Sequence, residues 1–229
     1  MTQRIKILYR DALICAAVKP AGVLSEEDGG KGMPERLAAA LGLKDGEVCP
    51  VHRLDKDTGG VMVYALTRTA AAAMSVSFSP QGDAEKTYLA VISGSMEAGD
   101  GVLTDLLFHD SRKNRSYTVD RMRKGVREAS LSYSVLAERN DRTLVSVRLH
   151  SGRTHQIRVQ FSSRKHPLLG DRRYGSSINC PLALWSYSLA FDHPVTGQRL
   201  SFSYPPPDSF PWKDFGEVIS RLSQNERTY

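Results

Sequence analysis

The stretch Val51-His52-Arg53-Leu54-Asp55-Lys56-Asp57-Thr58-Gly59-Gly60 places charged residues and two glycines directly before the apolar run Val61-Met62-Val63-Tyr64-Ala65-Leu66. The apolar run predicts a buried strand, and Thr67-Arg68-Thr69 after it predicts the start of an alanine-rich helix that reaches about Phe78. A polar loop that leads into a buried strand can hold side chains for chemistry at a fixed position. The rest of the chain is therefore interpreted around Asp55.

Working outward, the apolar periodicity predicts strands and helices in mixed order, with hairpins between neighbouring strands. Strands are predicted over residues 5–18 (a strand pair, or one strand and a turn), 61–66, 86–92, 129–137, 144–149, 189–191 and 200–202. Helices are predicted over residues 33–42, 67–78 and 209–222, and after Thr154 as an N-cap. This mixture predicts an α+β fold, and the lack of a long linker predicts a single domain over residues 1–229.

Bulk composition argues against several classes of protein. The chain has 229 residues, 41% of them hydrophobic, so it can bury a core. Its apolar stretches are too short to cross a bilayer or to act as a signal peptide, which predicts a soluble cytoplasmic protein. Cys15, Cys49 and Cys180 are widely spaced, which predicts buried free thiols. His150 and His155 lack a third ligand at metal spacing, so no metal site is predicted.

The net charge of +6 is concentrated in two windows. The first basic window, Asp110–Glu128, lies in a predicted connection and carries seven basic and three acidic residues. The second basic window, His150–Gly175, carries six basic residues and one acidic residue. Such segregation is typical of a phosphate-binding surface, because each cation that neutralises a phosphate releases a counterion. From charge alone, a merely solvated basic face explains the pattern equally well.

Two carboxylates in the opening stretch could take part in catalysis. Asp55 and Asp57 are two residues apart, so in an extended chain they would share one face, and paired carboxylates can catalyse glycosyl transfer. A glycosidase is therefore one interpretation. Arg53 and Lys56 beside the acids favour ionised carboxylates over a proton donor, so a single ionised carboxylate is the other interpretation.

Two motifs resemble the signatures of one enzyme family. His52–Gly60 is similar to the first signature of the RluA-type pseudouridine synthases, and Gly152–Arg158 is similar to the second. Shorter matches in the expected order are Lys19–Gly22, Lys86–Tyr88, His166–Gly175 and His193–Gly197. The resemblance therefore spans nearly the whole chain.

The resemblance implies both a fold and a reaction. The pseudouridine synthase fold is a bent, mixed, mostly antiparallel sheet flanked by helices, with a catalytic cleft across the sheet. The reaction converts a specific uridine in ribosomal or transfer RNA to pseudouridine: the base is cut from C1′, turned, and rejoined through C5. This isomerisation needs no metal and no organic cofactor. RNA is the implied partner, without a membrane, and we expect a monomer.

The resemblance also implies roles for individual residues. Asp55 matches the catalytic carboxylate, Arg158 the arginine that pairs with it, and Tyr88 the tyrosine that stacks on the base or moves a proton. The carboxylate would attack a sugar or base carbon, or assist loss of the base. The target nucleotide must flip out of stacked RNA, and Arg53 matches the residue that fills the vacated space. Other expected RNA-binding residues are Lys113, Arg115, Arg153 and Arg172.

Each assignment also has a purely structural alternative. Asp55 would then be a turn residue, Tyr88 an ordinary strand aromatic, and Arg158 a surface arginine on a helix. A further interpretation of the whole chain is an RNA-binding module without catalytic activity.

The chain departs from the family pattern at three places. Relatives usually have serine where Gly59 stands, often histidine where Gln160 stands, and commonly Leu-His-Ala where Leu184-Trp185-Ser186 stands. These departures bear on the RNA that is bound more than on the reaction. We expect no separate N-terminal RNA-binding domain, so RNA selection would lie on the catalytic domain. Neither motif encodes the target uridine.

Overall fold

The structure is a computed structural model, and it describes residues 5–79, 81–96 and 99–225. The strands in these residues are β1 (Lys6–Arg10), β2 (Ile14–Lys19), β3 (Cys49–Pro50), β4 (Gly59–Ala65), β5 (Glu85–Ser93), β6 (Asp100–Asp110), β7 (Arg115–Val119), β8 (Val126–Glu138), β9 (Arg142–Leu149), β10 (Leu184–Asp192) and β11 (Arg199–Ser203). The helices are α1 (Met33–Leu41), α2 (Arg68–Ser77), α3 (Gln156–Ser163) and α4 (Gly216–Asn225), with 3-10 turns at Arg172–Tyr174 and Trp212–Phe215.

The chain divides into two compact units. Unit 1 comprises Met1–Lys86 and Ser186–Pro206, and unit 2 comprises Thr87–Trp185 and Pro207–Tyr229. The loop that carries Asp55 belongs to unit 1, whereas both basic windows belong to unit 2. A single domain over the whole chain stays a prediction.

Unit 1 is built on the apolar run of the opening stretch. β1 pairs with β2 and β2 pairs with β4, both antiparallel, and all seven residues of β4 are buried. Val61 and Val63 of β4 share one core cluster with Ala70 and Met74 of α2. The predicted buried strand and the helix after it are confirmed, because each presents an apolar face that only the other element and its neighbours cover.

The ends of two predicted helices are confirmed by their capping residues. The Thr67 hydroxyl accepts the backbone N–H of Ala70 at 3.1 Å and so caps the start of α2. Pro34 lies in the first turn of α1, and Gly42 ends that helix with φ 70°. Glycine adopts this left-handed backbone without the steric penalty that a side chain brings.

Unit 2 contains a hairpin that the sequence does not predict. The first basic window is predicted as a connection, but it contains the end of β6, all of β7 and the start of β8. β6 pairs antiparallel with both β7 and β8. In β6, Leu103 and Leu107 are buried whereas Val102 and Thr104 are exposed. Because one face of these strands is covered and charged residues are frequent, the apolar signal is too weak to mark them.

The predicted hairpins at residues 140–142 and 192–197 are confirmed. Asn140 and Asp141 have φ values of 51° and 54°, as a tight turn between β8 and β9 requires. β10 and β11 pair antiparallel, with Phe191 opposite Leu200.

The last predicted helix is shorter than expected. Trp212 and Phe215 are buried, but they lie in a 3-10 turn, and α4 begins only at Gly216. Ile219 then lies buried on α4. The apolar spacing therefore identified the packed face correctly, while the first turn is wound more tightly than an α-helix.

Gly60 allows a close backbone approach within unit 1, and its replacement should destabilise the fold. Gly60 has φ 123°, and a Cβ there would lie 2.2 Å from the Ser186 carbonyl oxygen. Gly60→Ala should lower the free energy of unfolding by about 3 kcal/mol or more, through backbone strain and overpacking. Gly216→Ala is the control, because a Cβ there meets nothing within 4 Å, and it should stay within about 1 kcal/mol of wild type. Urea unfolding measures both, and equal stabilities would contradict the prediction.

Candidate active site

The loop that carries Asp55 is a tight turn in front of β4. The Thr58 N–H donates to the Asp55 carbonyl oxygen at 3.0 Å, with Lys56 and Asp57 at the turn. Asp55 is half-buried and Asp57 is exposed. The expectation that both acids share one face of an extended chain is wrong, because the backbone reverses between them.

A fully buried lysine holds this turn from within unit 1. The Lys19 ammonium donates to the carbonyl oxygens of Val23 at 2.6 Å, Lys56 at 3.0 Å and Pro20 at 3.1 Å. Burial lowers the pKa of Lys19 to about 8, although the negative charges of Asp57 and Asp55 act in the opposite direction. The lysine thus ties the residues after β2 to the turn after Asp55. In the sequence, Lys19 stands out only as part of the short motif Lys19–Gly22.

Two further contacts fix the chain on the other side of Asp55. The Ser25 hydroxyl donates to the Leu54 carbonyl oxygen and accepts the Leu54 N–H, both at 3.0 Å. His52 accepts the Val63 N–H on Nε2 at 3.2 Å, and its ring stacks on Phe78 with centroids 4.6 Å apart. Burial, with the positive charge of Lys86 as a second cause, lowers the pKa of His52 to about 3. His52 is therefore a neutral structural anchor at ordinary pH.

Arg53 is an exposed cation beside this turn. Its Nη1 lies 3.2 Å from Glu26 Oε1, and 64% of its side chain is exposed. An exposed ion pair of this kind contributes little to stability, so the side chain is held only weakly in this position. Its role in filling the space of a flipped base stays a prediction.

Arg158, in α3 of unit 2, is held by a buried carboxylate. Its Nε donates to Asp171 Oδ2 at 2.7 Å and its Nη2 donates to Asp171 Oδ1 at 2.9 Å, and both residues are buried. This fork of charge-assisted hydrogen bonds fixes the plane of the guanidinium. Arg158 is thus not a surface arginine, as the structural alternative supposed. Its predicted pairing with Asp55 stays a prediction.

Tyr174 is the centre around which this part of unit 2 is assembled. Its ring lies 5.1 Å from the Arg158 guanidinium carbon, and its hydroxyl accepts the Ser116 N–H at 2.8 Å. The same hydroxyl lies 2.9 Å from His155 Nδ1. One buried tyrosine therefore joins α3 to β7. Tyr174 lies inside the motif His166–Gly175, but no feature of the sequence distinguishes it from the other residues of that motif.

The start of α3 differs from the prediction. The N-cap position is His155, in the left-handed region with φ 56° and without a side-chain cap, so the predicted Thr154 cap is wrong. The Thr154 carbonyl oxygen instead accepts the Ser116 hydroxyl at 2.6 Å, and this tertiary bond holds the chain in a turn before the helix. Ile157 and Phe161 are buried, as predicted.

Tyr88 lies in β5 of unit 2, opposite Val147 of β9, and only 6% of it is exposed. Its position is that of an ordinary strand aromatic, and its role toward a base stays a prediction.

The two basic windows meet in unit 2. Arg173 donates from Nη1 to the carbonyl oxygens of Asn114 at 2.9 Å and Lys113 at 3.0 Å, and so joins the second window to the β6–β7 turn. Arg153 donates from Nε to the Glu128 carbonyl oxygen at 3.0 Å. The exposed cations of the two windows are Arg112, Lys113, Arg121, Arg123, Lys124, Arg127, Lys165, Arg172 and Arg173. Their convergence favours a phosphate-binding surface over scattered solvated charges.

Gln160, one of the departures from the family pattern, has clear structural partners. It is fully buried, and its Nε2 donates to Asp105 Oδ2 at 2.7 Å and to the Leu103 carbonyl oxygen at 3.2 Å. This amide links α3 to β6 and lies away from solvent, so it does not contact RNA directly. Gly59 and Trp185 are also buried.

Three further observations concern metal ligands, helix length and cysteines. Within the described residues, no three or more His, Cys, Asp or Glu side chains are grouped so that they could hold a metal ion. In the same part of the chain, each helix is too short or too polar to span a membrane. Cys15 is buried, whereas Cys49 and Cys180 are partly exposed, and all three are free thiols.

Residues 14–163 match the family described as RNA pseudouridylate synthase, and this segment contains both signatures around Asp55 and Arg158. The chain is 36% identical over 228 residues to an uncharacterized RNA pseudouridine synthase of Aquifex aeolicus, covering 90% of this chain and 71% of the relative. It is 32% identical over 244 residues to the ribosomal large subunit pseudouridine synthase D of Xanthomonas campestris, covering 96% and 70%. The chain belongs to the RNA pseudouridylate synthase family.

Solved structures agree on the fold. Human RNA pseudouridylate synthase domain containing 1 superposes with a TM-score of 0.76 at 20% identity, covering 100% of this chain and 97% of that one. Human RNA pseudouridylate synthase domain containing 4 gives 0.74 at 22% identity, covering 95% and 93%. The predicted α+β pseudouridine synthase fold is confirmed, and so is the predicted enzyme class. The position of the catalytic cleft stays a prediction.

The low pKa of Lys19 predicts a specific pH dependence of stability. Lys19 binds its proton up to about pH 8 in the folded chain and up to its ordinary pKa of 10.5 in the unfolded chain. The unfolded state therefore binds more protons between these values, and the contribution of Lys19 to the free energy of unfolding rises with pH. Urea unfolding of wild type and Lys19→Met at pH 7.5, 8.5 and 9.5 should show this rise only in wild type. Parallel pH profiles would contradict the prediction.

The buried pair of Arg158 and Asp171 should be sensitive to the loss of one partner. Asp171→Asn removes one charge of this buried pair, which should lower the free energy of unfolding by about 3–5 kcal/mol. Glu217→Gln is the control, because it breaks the exposed pair with Arg139 and should cost less than about 1 kcal/mol. Denaturant unfolding compares the two, and similar losses would refute a structural role for the Arg158 fork.

Proposed function

We propose that this chain converts a uridine of large-subunit ribosomal RNA to pseudouridine, with Asp55 as the catalytic carboxylate. The observation that carries the proposal is the family match over residues 14–163, which includes both signatures. The turn geometry supports it further, because Lys19 and Ser25 hold the backbone on both sides of Asp55. A reacting group must be held in this way before the substrate arrives.

The proposed reaction rearranges bonds without any net change in composition. The C1′–N1 bond breaks, the released uracil turns, and a C1′–C5 bond forms; the proton on C5 is lost and N1 gains one. Asp55 either forms a covalent intermediate with a sugar or base carbon, or stabilises the positive charge that develops on the sugar as the base leaves. No redox partner and no cofactor enters this balance.

Two residues of unit 2 have proposed roles beside Asp55. Arg158 would pair with the Asp55 carboxylate and direct it, and its own orientation comes from the fork with Asp171. Tyr88 would stack on the uracil or transfer the proton that leaves C5.

RNA binding is the third part of the proposal. The target base must leave the stack to reach Asp55, and Arg53 would fill its place with a planar guanidinium. Lys113, Arg153 and Arg172 would contact the RNA backbone from the joined basic windows. These contacts attract RNA of any sequence, so the target uridine must be selected by RNA shape.

The relatives suggest which RNA to test first. Several carry the name ribosomal large subunit pseudouridine synthase D, including one of Vibrio cholerae that is 37% identical over 174 residues. That alignment covers 69% of this chain and 52% of the relative. We therefore place ribosomal RNA ahead of transfer RNA as the substrate. Action in the cytoplasm as a monomer stays a prediction.

The two acids of the loop provide a matched test of the catalytic assignment. Asp55→Asn should reduce pseudouridine formation by at least about 10³-fold, because removing a nucleophile abolishes most of the rate enhancement. Asp57→Asn should stay within about threefold of wild type, since Asp57 is exposed at the far side of the turn. Pseudouridine is mapped in total RNA from cells that lack the protein, after incubation with each purified variant.

Three results would decide the matter. Full modification by Asp55→Asn would overturn the catalytic assignment. Equal losses in both variants would revive the glycosidase-like use of two carboxylates. An unchanged pseudouridine map with wild-type protein would overturn the proposed function itself.

A further inference from the structure

Arg115 is held in an unusual setting at the start of β7. Its guanidinium carbon lies over two aromatic rings, 5.2 Å from the centroid of Tyr174 and 5.5 Å from that of Tyr117. A guanidinium is attracted to ring faces by the ring quadrupole, and stacking restricts its rotamers. Arg115 is half-buried, so part of the group still reaches solvent.

The charge of Arg115 has no counterion among the residues that the structure describes. Its Nε is shielded from solvent, and it finds no hydrogen-bond acceptor in the same part of the chain. Asp110, its partner across the hairpin, uses Oδ1 to accept the N–H groups of Arg112 and Lys113. Arg158 shares the Tyr174 ring with Arg115, but its charge is matched by Asp171. The Tyr174 ring therefore contacts Arg158, which has a carboxylate counterion, and Arg115, which has none among the described residues.

The surroundings keep this guanidinium in place. The neighbouring Ser116 donates its N–H to the Tyr174 hydroxyl and its own hydroxyl to the Thr154 carbonyl oxygen. Arg173 holds the turn before Arg115 through the carbonyl oxygens of Lys113 and Asn114. A cation that is already oriented loses little entropy when an anion binds, so the site is prepared for a ligand.

We propose that Arg115 is a phosphate-binding residue that docks the RNA backbone beside the proposed active-site arginine. A phosphodiester oxygen would accept hydrogen bonds from the exposed edge of the guanidinium, and its charge would replace the missing counterion. A polyanion fits better than a small carboxylate, because Lys113 and Arg173, which bonds the Lys113 and Asn114 carbonyl oxygens, add positive charge beside Arg115. This inference rests on the proposed function, and it gives the RNA-binding role expected of Arg115 a specific ligand, a backbone phosphate, and a position beside Tyr174.

The proposed role is positioning and not chemistry. The guanidinium carbons of Arg115 and Arg158 lie 5.2 Å and 5.1 Å from the same ring centroid, so the two groups are within one ring of each other. Captured backbone would thus bring its nucleotides near the arginine proposed to direct Asp55. Loss of Arg115 should weaken binding and leave the rate at saturation nearly intact.

The test uses the full chain and an RNA transcript that the wild-type protein modifies. Arg115→Gln should lower RNA affinity about tenfold at 0.1 M salt, taken as about the effect of one lost phosphate contact, and reduce the slope of log affinity against log salt by about 1. KM should rise in parallel while kcat changes less than about threefold. Arg139→Gln is the control, since it removes an equal charge from unit 2 outside both windows, and it should change affinity less than about twofold.

A double-mutant cycle separates stacking from charge alone. Tyr117→Leu should weaken RNA binding in the wild-type background and have no further effect in Arg115→Gln, because Tyr117 acts only by orienting the arginine. Arg115→Lys keeps the charge without the planar fork and should fall between wild type and Arg115→Gln.

Two outcomes would overturn the inference. The first is an Arg115→Gln protein whose affinity and salt slope equal those of Arg139→Gln. The second is a Tyr117→Leu effect that is undiminished when Arg115 is already replaced. Both are read against active wild-type protein, so neither is confused with failure of the proposed function, in which wild-type protein would form no pseudouridine in any RNA.

Discussion

A positive charge removed from water is the constraint on which the proposed active-site loop depends. The Lys19 ammonium has no contact with solvent, so backbone carbonyl oxygens must replace its hydration. Three carbonyls from two separate segments, at Pro20, Val23 and Lys56, provide that replacement. The loop cannot rearrange without leaving the ammonium unsolvated, and Asp55 is therefore held in one place by a residue distant in sequence.

Unit 2 applies the same principle to a second buried cation. Arg158 is oriented by the Asp171 carboxylate, and Tyr174 supports its guanidinium while bonding to β7. In this pair a carboxylate with a full negative charge takes the place of water, so it both neutralises the Arg158 guanidinium and fixes its orientation. Arg115 shares the ring but has no carboxylate partner in the described residues, and this difference is the basis for proposing Arg115 as a phosphate-binding residue.

Local patterns predicted the parts of the fold that depend on local physics. The apolar run from Val61 and the Thr67 cap identified β4 and α2. A strand buried on both faces requires a continuous apolar run, and a helix start favours a capping hydroxyl, so both are visible in the sequence. The β6–β7 hairpin was not predicted, because only one face of those strands is covered and frequent charged residues weaken the alternation of apolar and polar residues. The predicted Thr154 cap was wrong: α3 begins after His155 in the left-handed region, while the Thr154 carbonyl oxygen accepts the hydroxyl of Ser116, a residue distant in sequence.

By itself, the sequence determined the family, the α+β class and the identity of the residues proposed to act, because two long motifs match the signatures of one family in the expected order. The tertiary structure decided which contacts fix those residues in place. It separated Asp55 from Asp57 by a turn, buried Lys19 beneath that turn, and placed Asp171 against Arg158. These outcomes arise from desolvation and from contacts between distant segments, and neither quantity can be read from residue spacing.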